Sequence, residues 1–526
     1  MERILFDSYK NIIYTPEEAA KFIKNKSIVG VSGFTKAGDS KSVLPAFAKR
    51  AEKEDLKITL LSGASLGYDT DADLAKNHAI YKRMPFQADP TLRKSINTGE
   101  VLYVDQHLSE TAEMLHNQHL PKVDLAIIEA TYIDANGFII PTTSVGNSAT
   151  FADLADEIII EINTSFPLSF KGIHDVFIPK AYPNRNIIAI TDPETRIGTE
   201  YIKIDPKKVI AVVFTDRPDS PAKISAPDEN TSAIADHILK FLKNEVAEER
   251  LTKSLLPIQV GIGKIANSVL SGFVNSPFEN LTMYSEVLQD STFELFDAGK
   301  MVFASASSIT VSEECYKKFI GNFEDYKHKI ILRPQNISNS AEVIRRLGII
   351  AINTAIEFDI YGNVNSTHLG GTHMMNGIGG SGDFARSAYL SIFVCPSASK
   401  NNSISHVVPM VSHHDHTEHD VDILVTEQGL ADLRGLAPKE RAKIIIENCM
   451  HPEYKTQMED YLEEALENGG QTPHVMEKVF SWHLDFKKYG TMKKQDTAKS
   501  GELEDNYLEI PHLTPVSKQA VAELTE

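Results

Sequence analysis

A strand, a glycine turn and a helix are written twice in this chain, and that repetition constrains the fold more than any other feature. The apolar run from Ser27 to Val31 leads through Gly33 to Val43, Phe47 and Ala51, spaced every four residues like one face of a helix. The run Ile258-Gln259-Val260-Gly261-Ile262-Gly263 leads to Ile265, Val269 and Phe273 at the same spacing. Two further matches follow in the same order. Ser144 to Ala152 precedes an apolar strand at Ile158 to Ile162, and Gly377 to Ala385 precedes one at Leu390 to Cys395. Val209 to Asp216 then matches Asp422 to Glu427. With strand and helix signals alternating throughout, the pattern predicts an α/β fold of two related domains with largely parallel sheets. Two unrelated α/β domains that share common glycine turns are the alternative.

The length of 526 residues also calls for more than one core. The boundary is expected in the proline-bearing stretch Pro218 to Pro227, giving domains over 1–225 and 226–490 and a polar tail over 491–526. A net charge of -19 argues against nucleic-acid and anionic-membrane partners, which need a basic footprint. No apolar run approaches the length of a membrane span, and the amino terminus lacks the apolar core of a leader peptide. The three cysteines, Cys315, Cys395 and Cys449, are widely scattered, which suits a reducing cytoplasm better than a disulfide framework.

The stretch Leu281 to Asp290 reads as a buried strand whose carboxyl end delivers Glu286, the end at which open α/β sheets bind ligands. A lone carboxylate there is more often structural than catalytic. Two glycine-rich turns, Gln259 to Gly263 and Asn376 to Phe384, add to the case, because a missing Cβ lets a ligand reach backbone N–H groups. Neither turn is a Walker loop or a full dinucleotide fingerprint.

Three motifs point further: Tyr284-Ser285-Glu286-Val287-Leu288-Gln289-Asp290, the Asn376-Gly377-Ile378-Gly379-Gly380-Ser381-Gly382-Asp383-Phe384 turn, and the run Val425 to Gly435. Together they resemble the class I CoA-transferases of the acetyl-CoA hydrolase/transferase family, and the succinyl-CoA:acetate CoA-transferases within it. The likeness runs from the Val31 to Thr35 turn to about Tyr489. It implies two domains of the CoA-transferase (NagB/RpiA-like) fold, a homodimer, and acyl-CoA and small carboxylic acids as substrates, with no permanently bound cofactor. It makes Glu286 the nucleophile, with acyl-glutamyl anhydride and glutamyl-CoA thioester intermediates. It assigns Gln259, Val260, Gly261, Ile262, Gly263, Asn376, Gly380 and Lys400 to coenzyme A, with the Gly380 N–H also at the oxyanion. Asn339 and Glu427 become supporting polar residues near Glu286. A free Glu has a pKa of about 4.3, so Glu286 is expected to be ionised at neutral pH without a base. Lys400 supplies a point charge for a phosphate in an otherwise acidic chain. Gly382 and Asp383 are expected to hold the turn, Asp383 as a local cap.

Other readings differ in chemistry. An acyl-CoA hydrolase would use the same Glu286 with water as acceptor, and an acyl-CoA sensor would not need it. The run His413-His414-Asp415-His416-Thr417-Glu418-His419-Asp420 invites a metal-dependent hydrolase. It lacks His-Glu-x-x-His and runs into a strand, so no metal site is expected, and a polar loop ordering the Glu427 strand is the better account.

Overall fold

The structure, a computed structural model, describes residues 2–223 and 226–494. Seven strands form the first sheet: β1 (Ile28–Val31), β2 (Ile58–Leu61), β3 (Ile80–Met84), β4 (Leu102–Tyr103), β5 (Leu125–Ala130), β6 (Glu157–Asn163) and β7 (Val209–Thr215). Their spatial order is β4-β3-β2-β1-β5-β6-β7, and every neighbouring pair is parallel. Eight strands form the second: β8 (Ile258–Val260), β9 (Leu281–Tyr284), β10 (Met301–Ala306), β11 (Ile330–Leu332), β12 (Ile350–Thr354), β13 (Leu390–Val394), β14 (Ile423–Thr426) and β15 (Gly429–Asp432). Their order is β11-β10-β9-β8-β12-β13-β14-β15. The first seven repeat the topology of the first sheet strand for strand, and only β15, antiparallel to β14, is extra. The three sequence matches fall on the twin pairs β1 and β8, β6 and β13, and β7 and β14. The duplicated architecture is therefore legible in the backbone itself.

Both faces of the first sheet are buried, as parallel sheets require. Successive side chains alternate between faces. Leu125, Ile127, Ile159, Ala211 and Val213 pack with the helix α1 (Val43–Glu54), whose Val43, Leu44, Phe47 and Ala51 form its buried stripe. Ala126, Ile128, Ile158, Ile160 and Val212 face the other way, into a core that continues through Ile258, Val260, Ile350 and Ile352 of the second sheet. That core also takes Ile265, Val269 and Phe273 from the helix α2 (Lys264–Val274). One hydrophobic mass thus ties the two units together.

The units also exchange loops. Ahead of β6, Gly146 donates to Ser307 Oγ at 3.1 Å and accepts from Gln335 N at 3.0 Å, so this loop sits on the ends of β10 and β11. Ahead of β13, the twin loop sits on the residues after β4, where Ile378 N donates to Asp105 Oδ1 at 2.9 Å. A Cβ at Gly377 would collide with Tyr103 and Asp105, which fixes glycine there.

The expected boundary between 225 and 226 touches residues 224 and 225, and the expected tail over 491–526 is described only through 494, so both expectations lie in those parts outside the described residues. Met492 still packs in the core around Tyr454 and Trp482. All three cysteines are free thiols, and among the described residues no helix is long and apolar enough to cross a membrane.

Candidate active site

Glu286 stands two residues beyond the carboxyl end of β9. Its backbone is held from both sides: Ser285 N donates to Ser305 O at 2.9 Å, and Ser307 N donates to Glu286 O at 2.8 Å. The preceding Tyr284 is buried, and its hydroxyl donates to Ile337 O at 2.6 Å. The half-buried Glu286 carboxyl therefore projects from a fixed point. Asn339 Nδ2 donates to its Oε1 at 2.9 Å. Any Cβ at Gly380 would overlap that same carboxyl group. Burial pushes the Glu286 carboxyl up to about 7, with the Asn339 hydrogen bond opposing the shift. Against the expectation of a fully ionised Glu, acid and carboxylate forms therefore coexist near neutral pH.

Asn339 is fully buried just after the short helix Gln335–Ser338. Ser338 Oγ lies 2.8 Å from its Oδ1, which turns the NH₂ toward the carboxylates. The second acceptor of that NH₂ is Asp383 Oδ2 at 3.1 Å. Asp383 belongs to the helix α3 (Ser381–Ala385), which has no side-chain cap, so the expectation of a local Asp cap is corrected. Its carboxylate instead accepts from Ser109 N at 3.2 Å and Ser109 Oγ at 2.6 Å, across the seam between units. Burial and the neighbouring Glu286 raise the Asp383 carboxyl to about 7, while Ser109 and His107 act to lower it.

The residues after β4 form the far wall. A Cβ at Gly382 would strike His107, and Asp105 holds Ile378 N with both oxygens. Burial lifts the Asp105 carboxyl to about 7. Sequence reasoning missed Tyr103, Asp105, His107 and Ser109. The signal was present: a polar run follows a strand's carboxyl end, the same cue that singled out Glu286.

The residues expected at coenzyme A divide. Gln259 is buried and locked in a reciprocal amide pair with Asn353, at 3.1 and 3.2 Å, and Val260 is buried in the core. Gly261 is partly open, and Ile262 and Gly263 are exposed. Nothing stands within 4 Å of where a Cβ on Gly263 would be, at the start of α2. The twin helix start in the first unit is filled from inside: Glu161 accepts from Lys41 N, Ser42 N and Val43 N at 2.6 to 3.1 Å. Beside it, buried Lys41 Nζ contacts Glu129 at 2.6 Å, Asp219 at 2.9 Å and Asp39 at 3.7 Å.

Asn376 is partly buried and donates to Gly377 O at 2.9 Å. Lys400 is exposed at a hairpin tip, its Nζ 5.4 Å from the centre of the Phe486 ring. Glu427 is not joined to Glu286 by any hydrogen bond among the described residues. It accepts from Ser397 N at 2.8 Å and from the Ser397 hydroxyl, and against the effect of burial these bonds hold its carboxyl below the usual range.

The histidine-rich run also reaches the Gly380 turn. Buried His416 lies 3.1 Å from Ser381 Oγ and 3.4 Å from Ser366 Oγ, and Asp415 accepts from Ser366 N and Thr367 Oγ1. His416 thus meets the Gly380 turn, while Asp415 holds the Ser366 to Thr367 segment. Burial takes the His416 imidazole down to about 4, so it stays neutral. Among the described residues no three His, Cys, Asp or Glu side chains are grouped to hold a metal ion.

Comparison with known proteins adds to this geometry. Residues 3–214 match the acetyl-CoA hydrolase/transferase N-terminal domain and residues 314–462 the C-terminal domain. The succinyl-CoA:acetate CoA-transferase of Clostridium kluyveri is 49% identical over 91% of this chain and 90% of its own length. The propanoyl-CoA:succinate CoA transferase of Escherichia coli is 44% identical over 91% and 98%. The acetyl-CoA hydrolase of Schizosaccharomyces pombe is 44% identical over 92% and 96%. Among solved structures, RipA from Yersinia pestis superposes with a TM-score of 0.68 at 20% identity, covering 87% of this chain and 98% of its own, a likeness of fold.

Proposed function

Because the chain belongs to the acetyl-CoA hydrolase/transferase family and is an enzyme of the CoA-transferase type, we propose that it moves coenzyme A from a short-chain acyl-CoA to a free carboxylic acid, with succinyl-CoA and acetate as the pair. The observation that carries this reading is the Glu286 carboxyl, projected from a strand end and held by Asn339 against a glycine.

Glu286 attacks the thioester carbonyl as a carboxylate, expelling the CoA thiolate and forming an acyl-glutamyl anhydride. The thiolate then attacks the glutamyl carbonyl, which releases the first acid and leaves a glutamyl-CoA thioester. The acceptor carboxylate attacks that thioester, and the thiolate returns to the new acyl group, freeing Glu286. Each step exchanges one activated acyl bond for another. The burial that lifts the Glu286 pKa also leaves its carboxylate more basic, and hence more nucleophilic, than one in water. In this reading the Gly380 N–H and the Asn339 amide meet the oxyanion, where one preorganised donor contributes about 3 kcal/mol. Gly261 to Gly263 and Lys400 receive coenzyme A, and the assembly is a homodimer.

Mass spectrometry after mixing with an acyl-CoA tests the reading: covalent CoA is expected on the peptide bearing Glu286. Release of CoA that depends on added acetate identifies transfer, and acetate-independent release identifies hydrolysis.

A further inference from the structure

Resting on that reading, we infer that Asp383, anchored by Ser109 of the first unit, is a positioning residue that fixes the Asn339 amide on Glu286. Asn339 has two N–H bonds to offer. One points to Glu286 at 2.9 Å and the other to Asp383 at 3.1 Å, while Ser338 occupies its carbonyl oxygen. An amide held at three points cannot rotate away from the nucleophile when the carboxylate becomes an anhydride and then a thioester.

A purely structural account of Asp383 fails on its contacts. It caps nothing in its own helix, and its partners lie 44 and 274 residues away. Burying a carboxylate for packing alone is costly, and an apolar side chain would do that better. The duplication supplies an internal comparison. Gly146 to Ala152 aligns with Gly379 to Ala385, so Thr150 stands where Asp383 does and Asn147 where Gly380 does. After β2 the first unit reads Ser62-Gly63-Ala64-Ser65, with no acid. The acid at this turn occurs only in the unit that carries Glu286.

The titratable groups that face Asp383 are Glu286 and His107. Removing its charge should therefore ease ionisation of Glu286 as well as loosen Asn339. The test uses the full chain with acetyl-CoA as donor and succinate as acceptor, from pH 5 to 9. Asp383→Asn is expected to lower kcat about 10- to 100-fold with KM for acetyl-CoA nearly unchanged, because Asp383 touches no substrate. The acid limb of kcat/KM should move to lower pH. Ser109→Ala, which removes one anchor and leaves every carboxylate in place, should lower kcat by less with KM again nearly unchanged, and it decides the matter if Asp383→Asn does not fold. An unshifted limb in Asp383→Asn, or in either variant an unchanged kcat or a rise in KM alone, overturns the inference. Absence of CoA on Glu286 in the unaltered enzyme instead overturns the functional reading beneath it.

Discussion

The space that a side chain at position 380 would fill is already taken by the carboxyl group of Glu286. Gly380 has an ordinary negative φ of -95°, so backbone strain does not demand glycine there; the neighbouring carboxyl does.

Gly380→Ala should accordingly displace Glu286 from Asn339 while the fold survives. Misplacing a nucleophile by about 1 Å typically costs on the order of 100-fold in rate. The expected outcome is a loss of kcat of that size with an unchanged circular dichroism spectrum. Normal turnover would mean that Glu286 reacts from another position.

Replacing Glu286 by Gln keeps the shape and the Asn339 contact but removes the proposed nucleophile. CoA transfer and the covalent adduct should both disappear. The effect on stability has a definite sign. A carboxyl whose folded pKa is raised from its usual 4.5 to about 7 contributes stability that is full below pH 4.5 and lost as pH rises through 7. Glu286→Gln should therefore melt no lower than the unaltered protein at pH 8, which a thermal scan checks.

The rate should rise with pH across neutrality. In the proposed mechanism only the Glu286 carboxylate attacks, and both it and Asp383 are raised to about 7, so the acid limb of kcat/KM should belong to the pair. A limb near pH 4.5 would show that the carboxyl is solvated in the working enzyme.

In the first unit, Lys41 balances three carboxylates and is itself fully buried. Lys41→Met leaves those acids without their cation and should cost about 3 to 5 kcal/mol, measured by urea unfolding at pH 7. Burial and the crowding of acids raise Glu129 to about 8 despite Lys41, so its contribution to stability should fall as pH is raised from 4.5 to 8 and level off above.

Much of this was legible before any coordinates. Strand periodicity and glycine turns are local signals, so β1, β8, the turn at Gly377 to Gly382 and the duplication could all be read from neighbouring residues. The placing of Glu286 followed from one local cue, a polar residue at a strand's end. What escaped depends on distant partners. Ser109 meets Asp383 across 274 residues, and Gln259 pairs with Asn353, 94 residues on. The proton affinity of Glu286 is likewise a property of everything packed around it, which no window of sequence contains. The Glu427 carboxylate likewise has its partner at a distance in the chain, Ser397, 30 residues before it.

The exchange of loops between the units also sets a schedule. Gly146 leaves the ribosome 161 residues before Ser307, the hydroxyl it will donate to. At roughly 5 to 20 residues per second, that is on the order of 8 to 30 seconds during which the first unit exists with its turn unseated. The opposite turn has no such wait, because Asp105 and Ser109 are already made when Ile378 and Asp383 appear. The half of the molecule that bears Glu286 is thus born onto a finished support, and the earlier half is completed only by its younger copy.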